Sequence, residues 1–294
     1  MSTIDLDGRV AIVTGAGGGL GRSHALALAE RGAKVIVNDV GGADGDGPSA
    51  AAVVEEIEAA GGTASANTGS VADPEAVRNL VAEARDTYGQ IDIVVNNAGI
   101  LRDRSFAKMT EQEMRDVLEV HVMGAFHLTS AAWPHLQEQG YGRVIHTTSP
   151  AGLFGNFGQA NYSTAKMGLV GLTRTLAIEG ARYGINVNAI APLAASRMTE
   201  TILPPEVLAK LDPALVSPLV TYLVSEACTQ TGAIFSVGGG FVSRVAIVQG
   251  DGVVFDDITP EAIAERFDEV MAIGEGKEFP QGAAEQGGDV VSRV

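Results

Sequence analysis

Tyr162 and Lys166 stand four residues apart in the stretch SPAGLFGNFGQANYSTAK, and Ser149 opens it thirteen residues before the tyrosine. On a helix, positions i and i+4 share a face, which puts an ammonium beside a phenol. A free tyrosine titrates near ~10 and is a poor base at neutral pH. A neighbouring cation favours phenolate and moves it toward working pH, where general acid–base catalysis is most effective. The Ser149 hydroxyl is suited to hold a substrate oxygen in line with that phenol. Such a set moves a proton on or off an alcohol or carbonyl oxygen, and a hydride acceptor would complete an oxidoreductase. Tyrosine and lysine at this spacing also occur by chance, as one core residue and one solvated one. The reading therefore depends on a dinucleotide site elsewhere in the chain.

The N-terminal third supplies one. Residues 9–14 (RVAIVT) read as a short buried strand, followed by a glycine loop with Gly15, Gly19, Leu20 and Gly21 and then by SHALALAERG, a helix ending at Gly32. Strand, glycine loop and helix N-terminus together make a pyrophosphate cradle: the glycines admit the phosphates and the helix end presents free N–H groups. A second strand, 34–39 (KVIVND), ends in Asp39, eighteen residues after Gly21. A carboxylate there accepts hydrogen bonds from the adenosine ribose and repels a 2′-phosphate. No arginine or lysine lies within the glycine loop or directly after Asp39, so the expected cofactor is NAD rather than NADP.

Downstream, strands and helices alternate. Residues 49–60 read as a helix, 63–68 as a third strand, 74–88 as a helix and 91–95 as a fourth strand, which delivers Asn96, Asn97, Ala98 and Gly99 at its C-terminal end. Residues 110–139 are mostly helical, with Pro134 expected to kink or divide the helix. His121 lies there in the otherwise apolar run LEVHVMGAF, where a lone histidine is more often a hydrogen-bonded core residue than a catalytic one. A fifth strand, 142–148, delivers Ser149; a helix over 158–182 carries Tyr162 and Lys166; strands follow at 186–190 and 233–237, separated by a long connection (193–203) and two short helices. The expected fold class is α/β, a doubly wound parallel sheet of Rossmann type forming a single domain over 1–242. A C-terminal extension, 243–273, is expected to hold an edge strand (244–248) and a helix (260–271), and 274–294 to be a mobile tail.

Composition bounds the function. The chain has 36 acidic and 20 basic side chains, a net charge of −16, which argues against nonspecific nucleic-acid or anionic-membrane binding. The single cysteine, Cys228, excludes an intramolecular disulfide and makes a cysteine-based zinc site implausible, and no metal site is expected. No basic leader and no run approaching the ~20 apolar residues of a membrane span is present. The reading is of a cytoplasmic enzyme acting on a small molecule.

Taken together, these residues resemble the short-chain dehydrogenase/reductase family: Thr14-Gly15, Gly19, Gly21, Asn96 to Gly99, Ser149, Tyr162 and Lys166 fall in its order and spacing over residues 8–240. A closer likeness, to the members that oxidise (3R)-3-hydroxyacyl-CoA thioesters with NAD, rests on VNDVGG, NNAGILRDRSF, GNFGQANYS, LAIEG and APLAASRMT, and continues into TPEAI at 259–263. The resemblance implies that Tyr162 is the acid/base, that Lys166 binds the nicotinamide ribose and lowers the tyrosine's pKa, and that Ser149 positions the substrate oxygen. It implies that Asn97 and Gly99 line the cofactor and that Ala194, Ala195, Ser196 and Arg197 close over the nicotinamide. The (3R) configuration, a steroid side chain or steroid alcohol as a further substrate, and a homodimer or homotetramer through the helices around 110–139 and 158–182 also come from the resemblance alone. Three positions depart from the common family pattern. His121 takes the place of an asparagine that anchors a proton-relay water, Gly69, followed by Ser70, replaces an adenine-contacting acid, and Leu193 replaces the glycine after Pro192. Arg102, Arg104 and Lys108 are the nearest clustered cations and are candidates for the CoA phosphates, or for pairing with local acids. Alternatives are another member of the family, such as a 3-oxoacyl-carrier-protein reductase, a sugar-alcohol or a hydroxysteroid dehydrogenase, or an NAD-binding module without turnover.

Overall fold

The structure, a computed structural model, describes residues 4–41, 49–194, 205–208 and 210–293. Within them the chain divides into two compact units, 1–244 and 245–294. The sheet consists of strands β1 (Val10–Thr14), β2 (Lys34–Asn38), β3 (Thr63–Asn67), β4 (Ile93–Asn96), β5 (Gly142–Thr147), β6 (Ile185–Pro192), β7 (Ile234–Gly238) and β8 (Phe241–Val245, whose last residue is the first of the second unit), in the order β3-β2-β1-β4-β5-β6-β7-β8. Pairings from β3 through β7 are parallel. β8 returns from β7 through Gly239 and Gly240, both at positive φ (57° and 83°), the conformation a two-residue antiparallel hairpin demands.

Helices cover both faces, which explains why the strands read as unbroken apolar runs. Alternate residues of one strand point to opposite faces and both sets are buried. Ala11, Val13, Val35, Val37, Ile93 and Val95 pack with α1 (Gly19–Glu30), α2 (Ala50–Ala59) and α9 (Ser217–Leu223). Ile12, Ile36, Val94, Val144 and Val187 pack with α3 (Pro74–Tyr88) and α5 (Gly124–Gln139). Each fully buried leucine or isoleucine contributes roughly 1.5–3 kcal/mol. The strand order reverses between β1 and β4, and the crevice at their C-terminal ends is where ligands of such sheets bind.

Several expectations change in detail. The helical region expected over 110–139 is interrupted upstream of Pro134: α4 (Glu111–Leu118) and α5 are joined by a π-helical turn, Glu119–Met123. Pro134 stays inside α5, where it cannot donate to the carbonyl of Ser130, an exposed residue. A short helix, α6 (Pro150–Phe154), lies between β5 and α7 (Ala160–Gly180) and was not expected. α8 (Pro205–Leu208) precedes α9, and β8 begins three residues before the expected edge strand. In the second unit the single helix expected over 260–271 is two, α10 (Pro260–Glu265) and α11 (Phe267–Met271). The stretch expected as a mobile tail carries α12 (Ala283–Val291), whose Asp289 holds both Lys277 and Arg293, while Lys277 bridges to Gln249.

Candidate active site

The glycine loop between β1 and α1 is shaped by backbone demands. Gly15 has φ +62, and an added Cβ would lie 2.8 Å from Ala98 Cα. A Cβ on Gly21 would overlap the Gly15 carbonyl oxygen and lie 2.6 Å from Asn97 Nδ2. Such a cradle admits backbone and phosphate where a side chain would block them, and α1 aims its N-terminus into it. Asn97 braces the cradle rather than only lining it: its Nδ2 donates to Thr14 O (3.0 Å) and Gly15 O (3.1 Å). Thr14, which sequence reasoning used only as part of a motif, is the hub, with Oγ1 accepting from Asn97 N and Ala98 N at 3.1 Å each. Asp39 ends the strand next door and accepts from Gly17 N (2.9 Å) and Gly41 N (2.8 Å), which fixes its carboxylate at the cradle's edge. Arg22, the nearest basic residue, is committed to Glu56 on α2. These residues fit NAD: Gly15 to Gly21 would take the pyrophosphate and Asp39 the adenosine ribose, and Arg22, the nearest basic residue in sequence, is already paired with Glu56.

Beyond the cradle, β5 delivers Ser149, which caps α6 by accepting from Ala151 N (3.2 Å). α6 packs so closely on α7 that a Cβ on Gly152 would lie 2.6 Å from Lys166 Cβ. Lys166 is buried, its Nζ donating to Thr147 O at 2.6 Å and standing 5.6 Å from the Tyr162 ring centroid. Loss of water pulls its pKa down from 10.5 to about 7. Tyr162 is correspondingly perturbed: burial pushes its phenol up, a hydrogen bond from the Ser149 side chain pulls it down, and the Asp103 charge pushes it up. Burial is the largest influence on the phenol, and the same burial disfavours charge on the Lys166 amine.

His121 lies in the π-helical turn, edge-on to Tyr162 with ring centroids 5.3 Å apart. Its Nε2 is 3.0 Å from Ile100 N and 2.8 Å from Ile100 O, and its buried Nδ1 has no partner among the described residues. Burial first, and then the Lys166 charge, push its pKa down to about 3, so the ring is neutral at working pH. Gly99 makes room for it, since a Cβ there would run into the imidazole. Asn161 is the residue that sequence reasoning missed. Fully buried beside the tyrosine, it accepts from Tyr162 N (2.8 Å) and donates to Arg102 O (2.9 Å) and Glu113 O (3.2 Å). It ties α7 to the loop after β4, and Arg104 N to Gly158 O (2.8 Å) and Gln159 to Asp103 (2.7 Å) tie the residues just before α7 to the same loop. The only sequence signal was a polar residue at a helix position that turns out to be core.

Other expected residues fall away from the reacting centre or are engaged elsewhere. Arg104 pairs with Glu113 at 2.7 Å, and Arg102 stands 3.9 Å from Asp116 while bonding Leu101 O, so local acids already hold both. Leu20 lies in the first turn of α1, and Gly69 and Ser70 at the end of β3. Ala194 is buried after β6, while Ala195, Ser196 and Arg197 lie outside the described residues.

A dinucleotide cradle at the switch point, with a serine, a tyrosine and a lysine on the strand and helix beside it, is an arrangement suited to proton and hydride transfer at an alcohol carbon. The family description short chain dehydrogenase matches residues 9–205, and the chain belongs to that family. It is similar to the peroxisomal multifunctional enzyme A of Dictyostelium discoideum, 49% identical over 290 residues, 97% of this chain and 65% of that protein. A hydroxyacyl-CoA dehydrogenase of Mycobacterium tuberculosis is 41% identical over 264 residues, 83% of this chain and 82% of that one. The full-length peroxisomal multifunctional enzyme type 2 of Drosophila melanogaster superposes with a TM-score of 0.84 at 41% identity, covering 99% of this chain and 50% of that chain. This chain thus spans less than two thirds of the length of either multifunctional relative. Among the described residues no helix is long and apolar enough to cross a membrane.

Proposed function

We propose that the chain oxidises (3R)-3-hydroxyacyl-CoA thioesters to 3-oxoacyl-CoA with NAD⁺. The observation that carries this reading is the convergence of Ser149, Tyr162 and Lys166 at the mouth of a cradle edged by Asp39. Ser149 holds the C3 hydroxyl against Tyr162 Oη, and the deprotonated phenol takes the hydroxyl proton as the C3 carbonyl forms. The bound dinucleotide supplies the acceptor for the hydride leaving C3. Lys166, fixed by Thr147 O, has further Nζ hydrogens to donate to ribose hydroxyls, and any such bond restores its charge and so favours phenolate. Neutral His121, whose buried Nδ1 has no partner among the described residues, packs edge-on against Tyr162 and is proposed to assist its proton transfer. The sheet supplies position and the buried groups supply electrostatics.

The acyl-CoA assignment is supported by the motifs shared with hydroxyacyl-CoA members and by the names of the relatives. Arg102, the more loosely paired arginine, is the better candidate for a CoA phosphate. Exposed Met123 and Phe126 near the start of α5 and Met167 and Ile178 on α7 support association through those helices. A cytoplasmic location belongs to the same reading, although the multifunctional relatives are named as peroxisomal. The test is NADH formation from a panel of (3R)- and (3S)-3-hydroxyacyl-CoAs and CoA-free secondary alcohols, including steroids. Turnover confined to the (3R) thioesters and abolished by Tyr162→Phe is the expected result. Turnover of CoA-free alcohols alone would leave the chemistry standing and overturn the substrate, and NAD binding without turnover would favour a binding module.

A further inference from the structure

The residues on both sides of Asp103 are tied to the start of α7. Arg102 O accepts from Asn161 Nδ2 (2.9 Å), Arg104 N donates to Gly158 O (2.8 Å), and between them Asp103 Oδ2 accepts from Gln159 Nε2 (2.7 Å). Gln159 is buried and is itself held. Its Oε1 accepts from Asn156 Nδ2 (2.9 Å), and its carbonyl accepts from Ser163 N (2.7 Å). Three successive residues of the loop after β4 are therefore fixed against the turn that carries Tyr162, and the middle one bears a carboxylate. The arginines beside it are engaged by acids of α4: Arg104 pairs with Glu113, and Arg102 stands 3.9 Å from Asp116. Among the described residues no ion pair neutralises Asp103 itself. Nor do the buried groups at Tyr162 offset it with a full positive charge at neutral pH, since burial pulls Lys166 down to about 7 and His121 to about 3.

The reading of the site as a (3R)-3-hydroxyacyl dehydrogenase, on which this inference rests, sets the C3 oxygen of the substrate against Tyr162 Oη. C1 is only two bonds from C3. In a thioester or an ester C1 is neutral, whereas in a free 3-hydroxy acid it bears a carboxylate at neutral pH. The Asp103 charge reaches the phenol, where it disfavours phenolate. An anion two bonds from the reacting carbon meets the same field with the same sign. The CoA phosphates are at the other end of a long arm and are screened by solvent. We propose that Asp103 is a specificity-determining residue, a fixed negative charge that admits 3-hydroxyacyl groups neutral at C1 and turns away free 3-hydroxy acids. The chain then acts on the activated acyl group alone, and a hydrolysed substrate does not occupy the site.

The test compares kcat/KM, at saturating NAD⁺, for a (3R)-3-hydroxy acid and its methyl ester, with the CoA thioester of the same acid alongside. Acid and ester both lack CoA and differ in charge at C1. The wild type is expected to favour the ester by about tenfold or more, the size of one partly screened repulsion, and the gap to narrow as salt rises. Asp103→Asn keeps an acceptor for Gln159 and is expected to close the gap to within about threefold. Asp103→Glu is expected to keep the gap, as is Asp86→Asn, which removes an exposed charge on α3 and changes net charge alone. Any effect of Asp103 on Tyr162 is common to acid and ester and cancels in their ratio. Three results would overturn the inference and leave the dehydrogenase reading intact: a wild-type ratio near unity, an unchanged ratio in an Asp103→Asn variant that still turns over the thioester, or no turnover of the acid by that variant. Failure of the wild type to turn over the thioester would overturn the reading itself.

Discussion

Replacing Lys166 by methionine should destroy activity and, at neutral pH, stabilise the fold. The fall of its pKa from 10.5 to about 7 means that charging the buried amine costs about 5 kcal/mol more than in the unfolded chain. Below pH 7 both states carry the proton and the folded chain bears that full cost. Between pH 7 and 10.5 only the unfolded chain is protonated, so stability rises with pH by about 1.4 kcal/mol per unit. Above 10.5 the cost is gone. Methionine fills similar volume without charge but leaves Thr147 O without the 2.6 Å bond, a loss of about 1–3 kcal/mol. The difference leaves Lys166→Met about 2–4 kcal/mol more stable at pH 7, with the advantage fading to nothing near pH 9. Urea unfolding of both proteins at pH 7 and 9.5 reads this directly, because every other titrating group is common to the two. Equal or lower stability of the variant at pH 7, or the same gap at both pH values, would refute the account of Lys166 as a charge held against its own desolvation for the sake of catalysis.

The remaining predictions concern acid and the cradle. Burial pushes His24 down to about 4 and His121 and His146 to about 3. Because the unfolded chain protonates these rings near 6.5 and the folded chain does not, stability is intact above that pH and is lost as pH falls below it. The three together make the slope up to about 4 kcal/mol per pH unit. Scanning calorimetry from pH 7 to 5 should show a steep fall in Tm; a flat profile would contradict it. Gly21→Ala should weaken NAD binding about tenfold or more, since the new Cβ lies 2.6 Å from Asn97 Nδ2 and forces the brace off Thr14 O and Gly15 O. Titration of the variant with NADH, followed by fluorescence, tests this, and an unchanged Kd would show the loop to be freer than the structure makes it.

The motif residues and the alternation of elements were readable from the chain because they answer to local rules. The glycine loop obeys the steric needs of a tight turn before a helix, the buried strands show as apolar runs, and Tyr162 and Lys166 share a face by helical periodicity alone. A resemblance in spacing then named the family. What the linear order could not carry was the environment of those residues. The sign of the Tyr162 perturbation depends on how much water its neighbours exclude, and the coldness of Lys166 toward its own proton depends on α6 closing over it at Gly152. The π-helical turn at His121, with Pro134 left inside a regular helix, also has no counterpart in the linear pattern. The role of Asn161, whose three bonds reach residues up to 59 positions away, shows in the sequence only as a polar residue at a helix position. Residue type and spacing determine which chemistry is available, since both are properties of neighbours along the chain. Burial and charge come from neighbours across it, and only the tertiary structure decides those.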